Sequence, residues 1–311
     1  MKAVSLFSGC GGSDAGVVAA GFEVLMANDK LAYARDVYLA NQADTDYVLG
    51  DVTKITSFPA ADLLVGCYPC QGFSQGGVRD PGRKINSLYL EFARALGQIK
   101  PKAFIVENVS GMGRRNFRHL LDDQIKVFAD VGYRVKADML NAADFGVAQE
   151  RRRIFIVGLR SDLGCEYAFP VPTHGNAMPH VTIGQALAGM PDWPEGEFYA
   201  RDFHWYYLSR DRRRGWDEVS KTIVANPRHM PLHPMSPRLV KREHNVWQFE
   251  IEGRARRFSY REAARLQGFA AGLVFPDTPA GSLDMRYKVV GNAVPPPLFT
   301  AVASALPNVW G

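Results

Sequence analysis

The chain is predicted to be an α/β protein, with a mostly parallel sheet covered by helices on both faces and a second, loop-rich segment. Two observations carry this. In the first half, short apolar runs alternate with amphipathic stretches of helical length, the pattern of strand–helix–strand units. After about residue 161 that alternation stops, and Pro170, Pro172, Pro179, Pro191 and Pro194 punctuate a stretch with few clean periods. The 311 residues, 47% apolar and 22% charged, suit one large domain with a smaller partner.

In chain order, residues 3–7 read as a buried strand and Gly9 to Gly12 as a tight loop. Residues 14–20 read as a helix that Gly21 stops. A strand over 22–27 and a helix over 31–41 follow, then a third strand ending before Gly50-Asp51. Further strands are expected at 62–65, 103–107, 133–139 and 153–157, with helices over 87–99 and 117–131. Ser259 and Glu262 have the spacing of a capping box opening a helix, and a short apolar helix is expected after Pro297. No apolar run is long enough to cross a membrane, and no signal peptide is visible, so the cytoplasm is the expected location. Four cysteines are too few for a disulfide scaffold.

The net charge of +5 is unevenly placed. Residues 201–265 hold 15 Lys/Arg against 8 Asp/Glu, and three of the five tryptophans, Trp205, Trp216 and Trp247. A basic, aromatic-studded segment on a near-neutral body suggests polyanion binding; a solvated surface with core aromatics reads equally well from charge alone.

Two loops follow strands where ligands of α/β sheets bind. The first is Phe7-Ser8-Gly9-Cys10-Gly11-Gly12, whose spacing is not that of the dinucleotide fingerprint and which lacks a following Gly-Lys-Ser/Thr. With Asp29 at the end of the second strand, and with Asp51 and Val52, it suggests an adenosine-bearing ligand without a phosphate chain. Surface acids capping loops would give the same pattern. The second loop is Gly66-Cys67-Tyr68-Pro69-Cys70-Gln71-Gly72-Phe73-Ser74. Its C-x-x-C lacks two further ligands for zinc and is not placed to open a helix, which leaves a single reactive thiol at the ligand-binding edge.

Pro69-Cys70-Gln71 with Phe73-Ser74 resembles the catalytic motif of the DNA (cytosine-5) methyltransferases. Other motifs similar to that family's follow in order. They are Phe7-x-Gly9-x-Gly11-Gly12, Glu107-Asn108-Val109, Gln149-x-Arg151-x-Arg153, Arg261-Glu262-x-x-Arg265-Leu266-Gln267-Gly268-Phe269 and Gly291-Asn292-Ala293-Val294-Pro295. The resemblance implies a Rossmann-like S-adenosyl-L-methionine-dependent fold and duplex DNA as partner, with S-adenosyl-L-homocysteine as product. It implies Cys70 as nucleophile, Glu107 as the acid facing the base, and Arg153 with Arg151 holding the ring oxygen and neighbouring backbone; Gln71 and Ser74 complete the catalytic set. Phe7, Gly9, Gly11, Gly12, Asp29, Lys30, Asp51, Val52, Pro69, Asn292 and Val294 would hold the cofactor, and no metal is expected. Residues 71–84, with Gly76, Gly77 and Gly82, are similar to the family's mobile loop.

The sequence departs from the family at Lys30, commonly aromatic or bulky, which implies modest cofactor affinity. It departs also at Tyr68, which is expected to matter little. The run from Ser209 through Arg210, Arg212, Arg214 and Trp216 to Arg228 and Leu232-His233-Pro234 resembles the recognition segment of bacterial members that modify GGCC. Arg210, Arg212 and Arg228 are the expected base readers. The resemblance implies a catalytic domain of residues 1–175 and 285–311, a recognition domain of residues 176–284, a DNA cleft between them, and Gly291 to Val294 returning to the cofactor site. It implies a monomer, with a companion restriction endonuclease as a functional but unbound partner if one exists. A tRNA-modifying relative would carry a Cys-Phe-Thr element that is missing here. A silent DNA-binding relative would not need Cys70, Glu107 and Arg153.

Overall fold

A computed structural model describes residues 1–69, 88–113 and 115–310. The described chain divides into two compact units: Met1–Asn141, Arg152–Val171 and Pro296–Gly311 form the first, Ala142–Arg151 and Pro172–Pro295 the second. This differs from the expected division in three places. The 142–151 connection, residues 172–175 and residues 285–295 join the second unit, within which buried side chains of Gln149, Arg151 and Gln267 bond the main chain.

The first unit is built on a seven-stranded sheet of order β3-β2-β1-β4-β5-β7-β6. Its strands are β1 (Lys2–Leu6), β2 (Glu23–Asp29), β3 (Asp46–Leu49), β4 (Leu63–Gly66), β5 (Ala103–Val109), β6 (Tyr133–Asn141) and β7 (Arg152–Arg160). All neighbours are parallel except β7, which runs antiparallel to both β5 and β6. Only ten residues, Ala142–Arg151, join β6 to β7, too few for a helical crossover, so the two pair as antiparallel neighbours. Both outrun their expected lengths, each spanning nine residues.

The helices of this unit are α1 (Gly12–Ala19), α2 (Ala32–Asn41), α3 (Leu88–Ile99), α4 (Arg118–Asp130) and α8 (Pro296–Ser304). The last opens on Pro296, two residues before its expected start, where a missing N–H costs nothing. Gly16 lets α1 lie against it: a Cβ there would sit 2.8 Å from both Phe299 Cβ and the Pro296 carbonyl. Beneath the sheet, edge-on aromatic contacts run from Phe92 to Phe104 and Phe128 and on to Tyr133, at 5.0–5.8 Å between centroids. Strand order reverses direction between β1 and β4, so the loops leaving those strands flank a topological switch point, the usual ligand position in such sheets.

The second unit has little regular structure: α5 (Ile183–Ala186), the hairpin β8 (Leu239–Glu243) and β9 (Val246–Phe249), α6 (Tyr260–Leu266) and α7 (Leu283–Asn292). A small cluster of Tyr207, Leu232 and Leu239 packs with Phe203, Trp247 and Phe249. Ser259 caps α6 with the reciprocal Glu262 bond that the sequence predicts. No helix among the described residues is long and apolar enough to cross a membrane.

Candidate active site

The glycine loop after β1 is held by main-chain geometry that few side chains tolerate. Phe7, Gly9 and Gly11 all have positive φ, at 60°, 56° and 89°. Gly11 is packed from below, since a Cβ there would meet Gln42 Nε2 at 2.4 Å. Gly9 faces open space: a Cβ would meet nothing within 4 Å, so a ligand can approach the main chain there. Asp29 Oδ2 accepts from Gly9 N at 3.1 Å, and Oδ1 accepts from Leu31 N at 3.0 Å. Each carboxylate oxygen retains a further acceptor site for a ribose hydroxyl.

Neighbouring groups fix this loop in ways that no motif announced. Tyr47 donates its hydroxyl to Gly9 O at 3.0 Å, and Gln42 donates to Gly11 O at 3.3 Å. Beneath it Asp14 is fully buried and accepts from Ser5 and Ser13; burial raises its pKa. Asp51 accepts from the amide and hydroxyl of Thr53, which hold its carboxyl below its usual range. Val52, expected against the cofactor, is 3% exposed and packs into the core cluster, so its side chain serves the core. Lys30 is exposed. Gly9, Asp29 and Asp51 together fit a nucleoside with free hydroxyls and an amine.

Across the switch point, Gly66 pairs with Val106, which brings the loop after β4 beside Glu107. Cys70, Gln71 and Ser74 lie outside the described residues, as do Gly76, Gly77 and Gly82 of the expected mobile loop. The stem of their loop is described. Burial, then the charge of Glu107, pushes the Cys67 thiol well above its usual range, so this member of the C-x-x-C stays protonated. Tyr68 is buried, donates its hydroxyl to Gln124 Oε1 at 2.6 Å, and meets the Phe7 ring edge-on at 5.9 Å. Pro69 is half-buried.

Glu107 lies in β5 and Arg153 in β7, and Arg153 Nε reaches Glu107 Oε1 at 2.8 Å with both side chains nearly buried. Burial pulls the Arg153 guanidinium down while Glu107 opposes it; an arginine keeps its charge across the physiological range. The pair therefore presents a carboxylate and a fixed positive charge side by side.

Arg151 does something else. Its guanidinium, 2% exposed, donates to the carbonyls of Ile223, Gly291 and Ala293 at 2.9–3.0 Å. Through these bonds Arg151 orders main chain of the second unit. Gln149 accepts from Ile223 N and donates to Gln267, which donates to Val290 O. Three separate sequence motifs thus meet in one buried polar network. Asn292 is the exposed last residue of α7, and Val294 is buried.

The basic segment is only partly a surface. Arg256 pairs with Glu262 through two bonds of 2.7 Å. Arg257 donates to carbonyls of Tyr199, Arg201 and Asp202 and stacks on Phe203 at 4.3 Å. Arg213 donates to Ser236 O and Pro234 O. Arg212 donates to Tyr207 O and lies over that ring at 4.9 Å; burial lowers its pKa. These arginines brace loops, so the local charge excess overstates what solvent meets. Arg212 in particular is half spent as a base reader. Arg210 and Arg228 are exposed, Arg210 against the Tyr206 ring at 5.4 Å. Trp205, edge-on to the Tyr206 ring at 5.7 Å, is 81% exposed. Among the described residues no cluster of His, Cys, Asp or Glu could hold a metal ion.

The profile of the C-5 cytosine-specific DNA methylases matches residues 1–308. The chain is 36% identical to the type II methyltransferase M.BspRI of Lysinibacillus sphaericus, over 97% of this chain and 80% of that protein. It is 35% identical to the type II methyltransferase M.NgoPII of Neisseria gonorrhoeae, over 98% and 95%. In fold it resembles a putative DNA modification methyltransferase encoded within an E. coli prophage, with a TM-score of 0.73, 21% identity and 98% of each chain covered. The Entamoeba histolytica methyltransferase EhMeth also gives 0.73, at 15% identity over 98% and 97%.

Proposed function

The chain belongs to the C-5 cytosine-specific DNA methylase family, and from that premise we propose that it modifies a flipped-out cytosine in GGCC, or a similarly short G/C-rich duplex site, through a covalent adduct of Cys70. As a DNA (cytosine-5) methyltransferase it uses S-adenosyl-L-methionine, which when bound supplies the methyl group.

The observation that carries the site assignment is the Glu107–Arg153 pair at 2.8 Å. Carbon 5 of cytosine is a poor nucleophile. Addition of the Cys70 thiolate to carbon 6 moves electron density onto the ring, leaving carbon 5 enamine-like. Glu107, held by Arg153, hydrogen-bonds the ring at N3 and the exocyclic amine and keeps the added proton there. The Arg153 charge stabilises the ring oxygen as density builds. After carbon 5 is alkylated its proton leaves, and the carbon–sulfur bond breaks to return the Cys70 thiolate. Cys67 is excluded from this role by its raised pKa. Gly9, Asp29 and Asp51 hold the nucleoside end of the methyl donor.

Extruding the cytosine costs a few kcal/mol, offset by contacts from the second unit. Arg210 and Arg228, both exposed, are the guanine readers this reading favours. A monomer suffices for this chemistry, and a companion endonuclease would act separately on the same site.

Bisulfite sequencing of a plasmid co-expressed with the wild type and with Cys70→Ala tests the proposal. Protection of one cytosine in every GGCC, lost in the variant, is expected. Protection at an A/T-containing site would refute the target, and protection retained by Cys70→Ala would refute the nucleophile. No protected cytosine in either would refute the DNA-modifying reading in favour of an RNA substrate or a silent binding module.

A further inference from the structure

We infer that Tyr206 is a positioning residue for target recognition, its ring and hydroxyl holding the exposed Arg210 guanidinium in place for a base edge. The inference rests on the reading of Arg210 as a guanine reader.

The run His204-Trp205-Tyr206-Tyr207-Leu208-Ser209-Arg210 folds around one short helical turn, Tyr207–Ser209, with Tyr206 before it and Arg210 after it. Tyr207 fixes the turn from inside: its ring is fully buried and its hydroxyl donates to Met230 O at 2.8 Å. Ser209 closes the turn, its hydroxyl donating to Tyr206 O at 2.8 Å. A turn this tight brings its two exposed flanking side chains together. Arg210 Nη2 donates to the Tyr206 hydroxyl at 3.3 Å, and the guanidinium carbon lies 5.4 Å from the ring centroid.

Tyr206 is itself held. His204 is nearly coplanar with it, at 8° and 6.3 Å, and His229 meets it edge-on at 5.3 Å. Burial, and then the charges of neighbouring arginines, pull both imidazoles below their usual range, so at neutral pH neither adds a cation beside the ring. Arg212 lies 6.0 Å from the same centroid, with its Nε committed to Tyr207 O at 3.1 Å. Burial is the main cause that lowers the Arg212 pKa, and the charge of Arg210 adds to it, so the two guanidiniums repel. Arg212 is fixed by its bonds, and the repulsion therefore acts to push Arg210 out into solvent. The electron-rich Tyr206 ring opposes that push. A free arginine gives up much rotamer freedom when it meets a base; one already seated on a ring has less to lose.

The experiment measures methyl transfer by wild type, Tyr206→Phe, Tyr206→Leu, Arg210→Ala and the double variant Tyr206→Leu/Arg210→Ala. Each receives a GGCC duplex and its single-base variants, and the ratio of the kcat/KM values is taken. The ratio is internal to each protein, so a smaller folded fraction cancels. A merely structural role would lower every rate together and leave the ratio unmoved. Arg210→Ala should shrink the ratio at one base position by about five- to a hundredfold. Tyr206→Leu should shrink it at the same position by about fivefold, and Tyr206→Phe, which keeps the ring, by about twofold. The double variant should match Arg210→Ala alone at that position, since Tyr206 acts there only through Arg210. An unchanged ratio in Tyr206→Leu overturns the inference, as does a double variant in which the two losses multiply. A wild type that methylates every duplex alike, or an Arg210→Ala that discriminates as well as wild type, overturns the guanine-reader reading instead.

Discussion

Glu262 sets the acid limit of the second unit, and Glu262→Gln is the perturbation that exposes it. The carboxylate is 1% exposed and accepts from Arg256 NH1 and NH2 at 2.7 Å each and from Ser259 N at 2.7 Å, with His233 Nε2 at 3.4 Å. Burial alone would raise its pKa; the bonds and charges of Arg256 and His233 outweigh that and lower it from 4.5 to about 2. A folded pKa below the unfolded one means stability that is present above pH 4.5 and lost as pH falls through about 2. At 1.36 kcal/mol per unit, the shift amounts to roughly 3 kcal/mol. Removing the charge from one side of a buried pair costs about 3–5 kcal/mol, so Glu262→Gln should lose about that much at pH 7.

Urea unfolding followed by tryptophan fluorescence, at intervals from pH 7 to pH 2.5, checks this. Trp216 lies edge-on to His233 at 5.1 Å and reports on the pair directly. The gap between wild type and variant should be widest at neutral pH and narrow steadily below pH 4.5. A gap that stays constant to pH 2.5 would show that the ionised carboxylate is not its source. Since Arg256 also donates to Asp192 O, the same pair ties together residues 192, 233 and 256–262, and DNA binding should weaken in the variant at neutral pH.

Four further outcomes are expected. If Glu107 acts on the base as proposed, Glu107→Gln should lower kcat by about 10²–10⁴ in a methyl-incorporation assay, leaving the dissociation constant for S-adenosyl-L-methionine within about twofold of wild type. Arg210→Ala should relax base preference by about 1–3 kcal/mol in competition binding with single-base variants of the site, while Arg213→Ala, whose guanidinium braces Ser236 and Pro234, should instead lower the melting temperature with base preference unchanged. Gly291→Ala places a Cβ within 2.4 Å of the Val224 and Ala225 main chain and should destabilise the fold by at least about 1–3 kcal/mol in chemical denaturation. Lys30→Trp should lower the cofactor dissociation constant in calorimetry by giving the nucleoside a flat apolar contact; an unchanged constant would show that the exposed Lys30 position does not touch it.

The parts of the fold legible in sequence were those with local causes. The first five strands sit close to their expected places because each is a short apolar run closed by glycine, proline or an acid, and Ser259-x-x-Glu262 gave its helix start correctly. What sequence could not show was direction: β7 reads like any buried strand, and only the shortness of the 142–151 connection makes it antiparallel. Charge misled in a comparable way. Counting Lys and Arg over residues 201–265 treats every guanidinium as a surface group, whereas Arg256 and Arg257 are buried side chains that satisfy carbonyls and a carboxylate. Loop-rich units have many main-chain carbonyls without a ladder, and arginine, with five donors in a fixed fork, is suited to collecting them. Gln124 left a signal, a polar residue on the apolar stripe of α4, and Tyr68 stood out as a departure from the family, but nothing in the sequence paired the two.

The Gln149-x-Arg151-x-Arg153 run shows why a motif can be recognised whole and still be misread in part. Alternate residues of a strand share a face, so reading the run as strand assigns both arginines to one site. The strand, however, begins at Arg152, and the boundary between the two units falls between Arg151 and Arg152. Arg153 has a β-ladder beneath it and a carboxylate partner in the next strand. Gln149 and Arg151 have neither, and spend their donors on the carbonyl groups of loops and helix ends. Within five residues the run supplies one side chain paired with a carboxylate and two bonded to loops and helix ends. Spacing alone cannot separate these settings; burial and bonding partners do, because a guanidinium that already gives three bonds to main-chain carbonyls is fixed by the fold around it.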